Sequence, residues 1–137
     1  LVQQQQVVIK ATIPDERDIA VHLLDRVLII FAEVSGDADQ ARVRQERLSG
    51  DEFSVFLPGV GMDRALELGE AMRVAAQALR LDLPSQGTGL PGRAVITMSV
   101  GAASSPDHAT TRETLVEAAD KALYKAKEGG RNRVERA

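Results

Sequence analysis

The sequence contains no cysteine and no tryptophan, and only one tyrosine, three phenylalanines and two histidines among its 137 residues. Without cysteine there is no disulfide framework and no thiolate metal site, a composition typical of proteins from a reducing compartment. His22 and His108 lie far apart in the sequence, so a zinc site built on histidine is not expected. We therefore predict a cytoplasmic domain, either free or forming the cytoplasmic part of a membrane-bound protein.

The charge balance also excludes one class of partner. The net charge is −3 and the isoelectric point is about 5.4, so the domain as a whole does not attract a polyanion. With so few aromatic rings for base stacking, a nucleic-acid polymer is not an expected partner, whereas the composition does not exclude single nucleotides. The longest apolar run, residues 27–32, is far shorter than the roughly 20 residues of a membrane helix, and we expect no membrane contact by this domain.

Length and patterning predict one domain. A chain of 137 residues with 44% hydrophobic residues can bury one core but is short for two. The glutamine run at 3–6 is uncharged and aperiodic, so we assign residues 1–6 to a tail or lead-in and residues 7–137 to the domain. The chain starts at Leu1 without a signal pattern, which predicts that it is a piece of a larger protein.

Hydrophobic periodicity and turn residues predict eight elements in the order strand, helix, strand, strand, helix, strand, helix, strand. The strands are expected at 7–13, 41–46, 53–57, 94–102 and 133–134. The first helix is expected at 19–34, the second is capped by Asp63 and continues to about Leu81, and the third is capped by Thr110 with Glu113 and stopped by Gly129 and Gly130. This order predicts an α+β fold with a central, mostly antiparallel sheet flanked by helices.

The most informative segment is Ser49-Gly50-Asp51-Glu52-Phe53, which presents two adjacent carboxylates in the turn of a predicted hairpin. Glycine and aspartate favour turns for backbone reasons alone, so this segment by itself does not decide between a site and a turn. Two further segments support a site. Residues 97–101 read T-x-S-x-G, and residues 119–132 read A-D-x-A-L-Y-x-A-K-x-x-G-R-N once Gly129 is passed over as one of the variable positions.

Together these three segments resemble the GGDEF family, the bacterial diguanylate cyclases, with Ser49 in place of the first glycine. The resemblance implies a nucleotidyl-cyclase palm-like fold and the joining of two GTP molecules into cyclic di-GMP across a dimer, with Mg²⁺ as the cofactor. It implies a metal and catalytic role for Asp51, a catalytic role for Glu52, and nucleotide binding by five residues: Asp25, Ser49, Gly50, Lys127 and Arg131. Lys127 and Arg131 match the family's phosphate-binding pair, although basic residues at a helix C-terminus also suit the helix dipole.

The first half of the chain departs from the family pattern. Counting back from the signature without gaps places the family's first-strand metal aspartate at Val8, with Lys10 adding a positive charge nearby. The glycine that precedes Asp25 is replaced by Leu24. The product-inhibition motif R-x-x-D is absent, so we expect no product-inhibition site. Asp15 or Asp18 would replace the missing acid only if the strand register slipped by several residues.

We therefore expect a degenerate, non-catalytic member of the family. It would act in cyclic di-GMP signalling as a regulatory module that binds GTP or cyclic di-GMP, with Mg²⁺ if a nucleotide binds, or that dimerises or serves fused signalling domains. The first alternative is an active diguanylate cyclase that recruits another acid. The second is an interaction module without a ligand, in which Asp51 and Glu52 are only turn residues.

Overall fold

The computed structural model describes residues 6–12, 44–49, 52–78, 81–83, 92–94 and 97–137. Within these ranges five strands form one sheet: β1 (Gln6–Thr12), β2 (Arg44–Ser49), β3 (Glu52–Pro58), and two strands from the second half of the chain. A separate antiparallel pair is formed by β4 (Leu81–Leu83) and β5 (Gly92–Ala94). The last two strands of the main sheet are β6 (Ser99–Ser105) and β7 (Val134–Arg136).

The main sheet has the strand order β2-β3-β1-β6-β7. All neighbouring pairs are antiparallel except β6 and β7, which are parallel. Two helices are described, α1 (Met62–Ala78) and α2 (Arg112–Glu128). The prediction of an α+β fold with a mostly antiparallel sheet is confirmed. The predicted helix at 19–34 lies outside the described residues.

The helices approach β6 from opposite faces of the sheet. In α1, a Cβ atom added to Gly69 would lie 3.3 Å from methyl groups of Val100 and Val134. On the other face, a Cβ atom added to Gly101 would lie 2.2 Å from the backbone nitrogen of Leu123 in α2. Successive strand residues face opposite sides, so Val100 contacts one helix and Gly101 the other. β6 is therefore the middle layer between two closely packed helices.

Small and branched apolar residues fill the core on the α2 side. Val8 of β1 and Ala103 of β6 pack against Leu115 and Ala119 of α2, with Ala109 closing the cluster. Every residue of β6 is buried, and most of them are small. Small side chains let α2 lie close to the sheet, so the position of α2 along the strands is tightly fixed.

Several predicted boundaries are wrong by a few residues. The predicted strand at 94–102 is instead divided, because Ala94 ends β5 and β6 begins only at Ser99. α1 begins at Met62, which places Asp63 in its first turn and not at its cap. α2 is capped by Thr111, whose side chain accepts from the Thr114 backbone N–H, so the box is Thr111 with Thr114.

The stop of α2 also differs in detail from its prediction. Gly129 has an ordinary φ of −76°, and the left-handed conformation begins at Gly130 with φ of 113°. The predicted strand at 133–134 is found as β7, shifted by one residue. In the described ranges, neither helix has the length and apolar character needed to cross a membrane.

The close approach at Gly101 gives a test of this packing. Gly101→Ala would force a methyl group onto the α2 backbone, where no flexible side chain can yield, and we expect the free energy of unfolding to fall by about 3 kcal/mol or more. Gly69→Ala is the matched control, because its neighbours are valine methyl groups and alanine favours a helix, and we expect a change within about 1 kcal/mol. Urea unfolding of both variants measures the difference. Equal stability of the two variants would contradict the packing at β6.

Candidate functional site

The hairpin of β2 and β3 carries the acidic signature at its closed end. Ser49 pairs with Glu52, and the register shifts between Arg47 and Ser49. Gly50 and Asp51 fall between the two strands and lie outside the described residues, as does Asp25. For Ser49 the structure describes the backbone alone. Of the predicted acidic pair, Glu52 is thus the member whose surroundings are defined.

The Glu52 carboxylate contacts the last turn of α2. Lys127 Nζ donates to Glu52 Oε1 at 3.0 Å, and the side chains are about a quarter exposed. These two predicted site residues are separated by 75 positions in the chain, and the fold brings them together. A partly buried ammonium beside the acidic hairpin is suited to bind an anion once its carboxylate partner is displaced or shared.

Two further contacts align α2 with the same face of the sheet. The guanidinium of Arg112, at the start of α2, lies 4.6 Å from the centre of the Phe56 ring. Near the middle of the helix, Lys10 Nζ donates to Asp120 Oδ1 at 2.7 Å. Lys10 is almost fully buried, with 9% of its side chain exposed, whereas Asp120 is 58% exposed. α2 therefore spans β3 and β1 from Phe56 to the hairpin end at Glu52.

The pairing of β1 with β3 shows which β1 residues neighbour the hairpin end. Val8, the position that counting assigns to the metal aspartate, lies opposite Phe56, whereas Thr12 lies opposite Glu52. Four residues of strand correspond to about 13 Å. Val8 is also fully buried in the core cluster. The β1 residues that neighbour the hairpin end are therefore Ala11 and Thr12, and neither is acidic.

The described residues do not by themselves fit a magnesium ion. No group of three or more His, Cys, Asp or Glu side chains in the described ranges could hold a metal. Glu52 is one carboxylate, and it already accepts from Lys127. Mg²⁺ requires near-octahedral oxygen ligation, to which an ammonium contributes nothing. Asp51 and Asp15 lie outside the described residues.

Arg131 lies in an unusual backbone segment just after α2. Its φ is 63° and that of Asn132 is 47°, both in the left-handed backbone region that residues other than glycine rarely adopt. The Arg131 N–H donates to the Ala126 carbonyl at 2.9 Å, and the Asn132 N–H donates to Ser99 Oγ at 3.2 Å. The Arg131 side chain is exposed. The segment thus fixes the backbone of Arg131 while leaving its guanidinium accessible.

One further arginine belongs to the surroundings of this segment. Arg73 of α1 donates from Nη1 to Asn132 Oδ1 at 3.0 Å and from Nε to Glu70 Oε2 at 2.9 Å. The hydrogen bonds from Arg73, helped by its charge and opposed by desolvation, hold the pKa of Glu70 below its usual value. The same hydrogen bonds raise the pKa of Arg73 further above its already high value.

Sequence reasoning identified Glu52, Lys127 and Arg131 but missed their supporting contacts. Ser99 and Asn132 both belong to the recognised segments, so their pairing was open to inference. Glu70 and Arg73 have the three-residue spacing of an ordinary surface ion pair, and nothing in that spacing indicates the contact to Asn132. Lys10 was identified as a nearby charge, but its partner Asp120, 110 residues away, was not.

The pair of Lys10 and Asp120 predicts an asymmetry. Asp120→Ala leaves a buried ammonium without its partner, so we expect a loss of about 1–3 kcal/mol in the free energy of unfolding. Lys10→Met removes the buried charge and leaves a mostly exposed carboxylate, with an expected change within about 1 kcal/mol. Urea unfolding compares them. A larger loss for Lys10→Met would show that the charge at residue 10 is itself stabilising.

The lowered pKa of Glu70 predicts a small dependence of stability on pH. A carboxyl group with a depressed folded pKa stabilises the fold above its unfolded pKa, and this contribution is lost as pH falls through the folded pKa. Because Glu70 is half exposed, we expect the free energy of unfolding of the wild type to exceed that of Glu70→Gln by less than about 1 kcal/mol near neutral pH. Unfolding at about pH 7 and about pH 3 should show the difference become smaller in acid. A difference that grows on acidification would contradict this assignment.

The sequence model of a protein family, the diguanylate cyclase GGDEF domain, matches residues 22–133 of this chain. Probable diguanylate cyclase DgcT of Escherichia coli strain K12 is 32% identical over 110 residues, which cover 80% of this chain and 24% of that protein. Diguanylate cyclase A of Treponema denticola is 30% identical over 112 residues, covering 82% of this chain and 28% of that protein. The chain thus spans about a quarter of the length of these relatives.

Solved structures show the same fold. The GGDEF domain of DgcB from Caulobacter crescentus, crystallised with cyclic di-GMP, has a TM-score of 0.67 and 26% identity, covering 97% of this chain and 78% of that one. The GGDEF domain of PA1120 (YfiN or TpbB) from Pseudomonas aeruginosa has a TM-score of 0.71 and 26% identity, with coverages of 99% and 84%. The palm-like fold that the resemblance implied is confirmed. With a family match over most of its length, the chain belongs to the GGDEF family, the domain family of the diguanylate cyclases of cyclic di-GMP signalling.

Proposed function

We propose that this domain is a non-catalytic GGDEF domain that binds a guanine nucleotide and acts as a regulatory or dimerisation module. The observation that supports this proposal most strongly is the register of β1. It sets Ala11 and Thr12 beside the hairpin end, where a second metal carboxylate would have to stand. The described charge on β1 nearest to Thr12 is the ammonium of Lys10, two residues earlier in the strand, and it is bound to Asp120.

Phosphate binding is supported by the end of α2. Lys127 is partly buried and held beside Glu52, and Arg131 is exposed on a backbone fixed by hydrogen bonds. Ammonium and guanidinium groups form strong, charge-assisted hydrogen bonds with phosphate oxygens. In this proposal a nucleotide phosphate competes with the Glu52 carboxylate for Lys127. The ion pair is then the state of the site before ligand binds.

The proposal assigns the remaining predicted residues by their positions in the family. Asp25 would contact the guanine edge, and Ser49 and Gly50 would bring the hairpin backbone close to the nucleotide. Asp51 would be the carboxylate nearest any Mg²⁺ that accompanies the phosphates. The ligand would be GTP or cyclic di-GMP, and DgcB of Caulobacter crescentus was crystallised with the latter. A homodimer or fused signalling domains would receive the effect of binding.

The runner-up function is an active diguanylate cyclase. It is favoured by the names of the curated relatives, which include diguanylate cyclases. The third candidate, an interaction module without a ligand, would leave the contact of Glu52 with Lys127 as a structural ion pair.

Calorimetry with GTP tests the proposed function. Full-length protein should bind GTP, and Lys127→Ala should weaken binding by roughly 10- to 100-fold because one charge-assisted phosphate contact is lost. Lys125→Ala is the matched control, since Lys125 is an exposed lysine about 200° away around the same helix, and it should leave the affinity unchanged. Asp51→Ala should weaken binding measured with Mg²⁺. Absence of heat with both GTP and cyclic di-GMP would favour the interaction module.

Glu52→Gln separates the nucleotide-binding module from the cyclase. If Glu52 only competes with phosphate for Lys127, the uncharged side chain should tighten GTP binding, most clearly with EDTA present. If Glu52 serves a catalytic metal site, the same change should weaken binding in Mg²⁺ and abolish product. Incubation of dimeric wild-type protein with GTP and Mg²⁺ completes the test, because robust formation of cyclic di-GMP would refute the non-catalytic assignment.

A further inference from the structure

The left-handed segment after α2 requires external support. Gly130, Arg131 and Asn132 all have positive φ, at 113°, 63° and 47°. Glycine adopts such angles freely and asparagine tolerates them, but an arginine does so only when neighbouring groups hold the backbone. The Arg131 N–H is bound to the Ala126 carbonyl of α2, so the groups that hold Asn132 fix the other end of this segment.

Two structural elements bind Asn132, one through its backbone and one through its side chain. From β6, the Ser99 hydroxyl accepts from the Asn132 backbone N–H at 3.2 Å, and Ser99 is buried with 1% exposure. From α1, Arg73 Nη1 donates to the side-chain oxygen of Asn132 at 3.0 Å. The first contact fixes the backbone and the second fixes the side chain. Asn132 is thus held between the sheet and the helix on its far face.

Arg73 is itself oriented for this contact. Its Nε and Nη2 bind the two carboxylate oxygens of Glu70, one turn earlier in α1, and this leaves Nη1 directed at Asn132 and Gln77. Its side chain is mostly buried, with 18% exposed. A planar guanidinium can make these contacts at once in fixed directions, whereas the single ammonium of a lysine cannot.

We infer that Arg73 is a positioning residue for phosphate binding: through Asn132 it holds the left-handed backbone that presents Arg131 at the end of α2. The inference rests on the proposed nucleotide-binding function. It assigns to α1, a helix that carries none of the predicted ligand contacts, control over the placement of a ligand-binding side chain. Since α1 follows β3 directly, the hairpin arm and the support of Arg131 belong to one continuous stretch of chain.

The test compares two arginines of the same helix in the full-length protein. Arg73→Met removes the guanidinium but keeps the length of the side chain, and it should weaken GTP binding by roughly 3- to 10-fold, part of the effect of losing Arg131 itself. Arg64→Met is the matched control, because Arg64 also pairs with a glutamate three residues away, at 3.0 Å, and it should leave the affinity unchanged. In an Arg131→Ala background, Arg73→Met should cause no further loss of affinity.

A second readout does not depend on nucleotide binding. Backbone amide signals of Arg131 and Asn132, followed by NMR in the absence of ligand, should shift in Arg73→Met and stay in place in Arg64→Met. Asn132→Gly provides an independent route if Arg73→Met folds poorly, since glycine accepts the left-handed angles and only the carboxamide is lost. It should shift the Arg131 signal and weaken GTP binding as Arg73→Met does.

The outcomes separate this inference from the proposed function. If wild type does not bind GTP, or Arg131→Ala binds as wild type does, the proposed function fails, and the NMR signals alone decide whether Arg73 positions the segment. Unshifted Arg131 and Asn132 signals in Arg73→Met would overturn the inference. Full affinity in Arg73→Lys would also overturn it, because the positive charge alone would then account for the effect.

Discussion

The close contact of α2 with β6 at Gly101 is the constraint on which the remaining geometry depends. With the Leu123 backbone at the position where a side chain would begin, α2 has a single allowed depth and position above the sheet. That position sets Arg112 over Phe56, Asp120 over Lys10 and Lys127 over Glu52. The charged contacts follow from the packing of small residues, and the packing does not depend on them.

The fold class, the acidic hairpin and the basic residues at the end of α2 could be predicted from the sequence because they rest on local signals. The hairpin, both described helices and the basic residues that close α2 were identified from periodicity, turn residues and recognisable segments. The predicted cap Thr110 is one residue from the observed cap Thr111, because two adjacent threonines offer equivalent hydrogen bonds, and Asp63 lies in the first turn of α1 and not at its cap. Such choices depend on how the helix packs, which no local pattern records.

The register of β1 could not be obtained from sequence. Counting residues assumes that the segment between β1 and the hairpin has the length usual in the family, and only the fold reveals that Thr12 lies opposite Glu52. Contacts over long separations were missed for a similar reason. Lys10 with Asp120 and Arg73 with Asn132 join elements whose relative placement follows from tertiary packing. The sequence shows these charged and polar residues, but it does not show which of them are neighbours in the fold.

The charge pattern on the α2 face is compatible with both the proposed nucleotide-binding function and the alternative of a cyclase. A partly buried lysine next to a glutamate binds phosphate once the carboxylate is displaced, and the same carboxylate serves a metal where further acids are near. What distinguishes these cases is the local density of negative charge at the hairpin end. In the described residues that density is low, because Lys10 neutralises Asp120 and Lys127 neutralises Glu52.

The burial of β1 at the centre of the sheet limits how such a domain can change during evolution. An acid introduced at Val8 would fall into the apolar cluster under α2, where it would damage the fold before it helped any chemistry. Only the last positions of the strand adjoin the hairpin, so a lineage could gain or lose metal-dependent activity through one or two substitutions at that rim. The buried part of the strand would meanwhile change only as packing allows. Catalytic activity could therefore be lost or gained while the fold is retained.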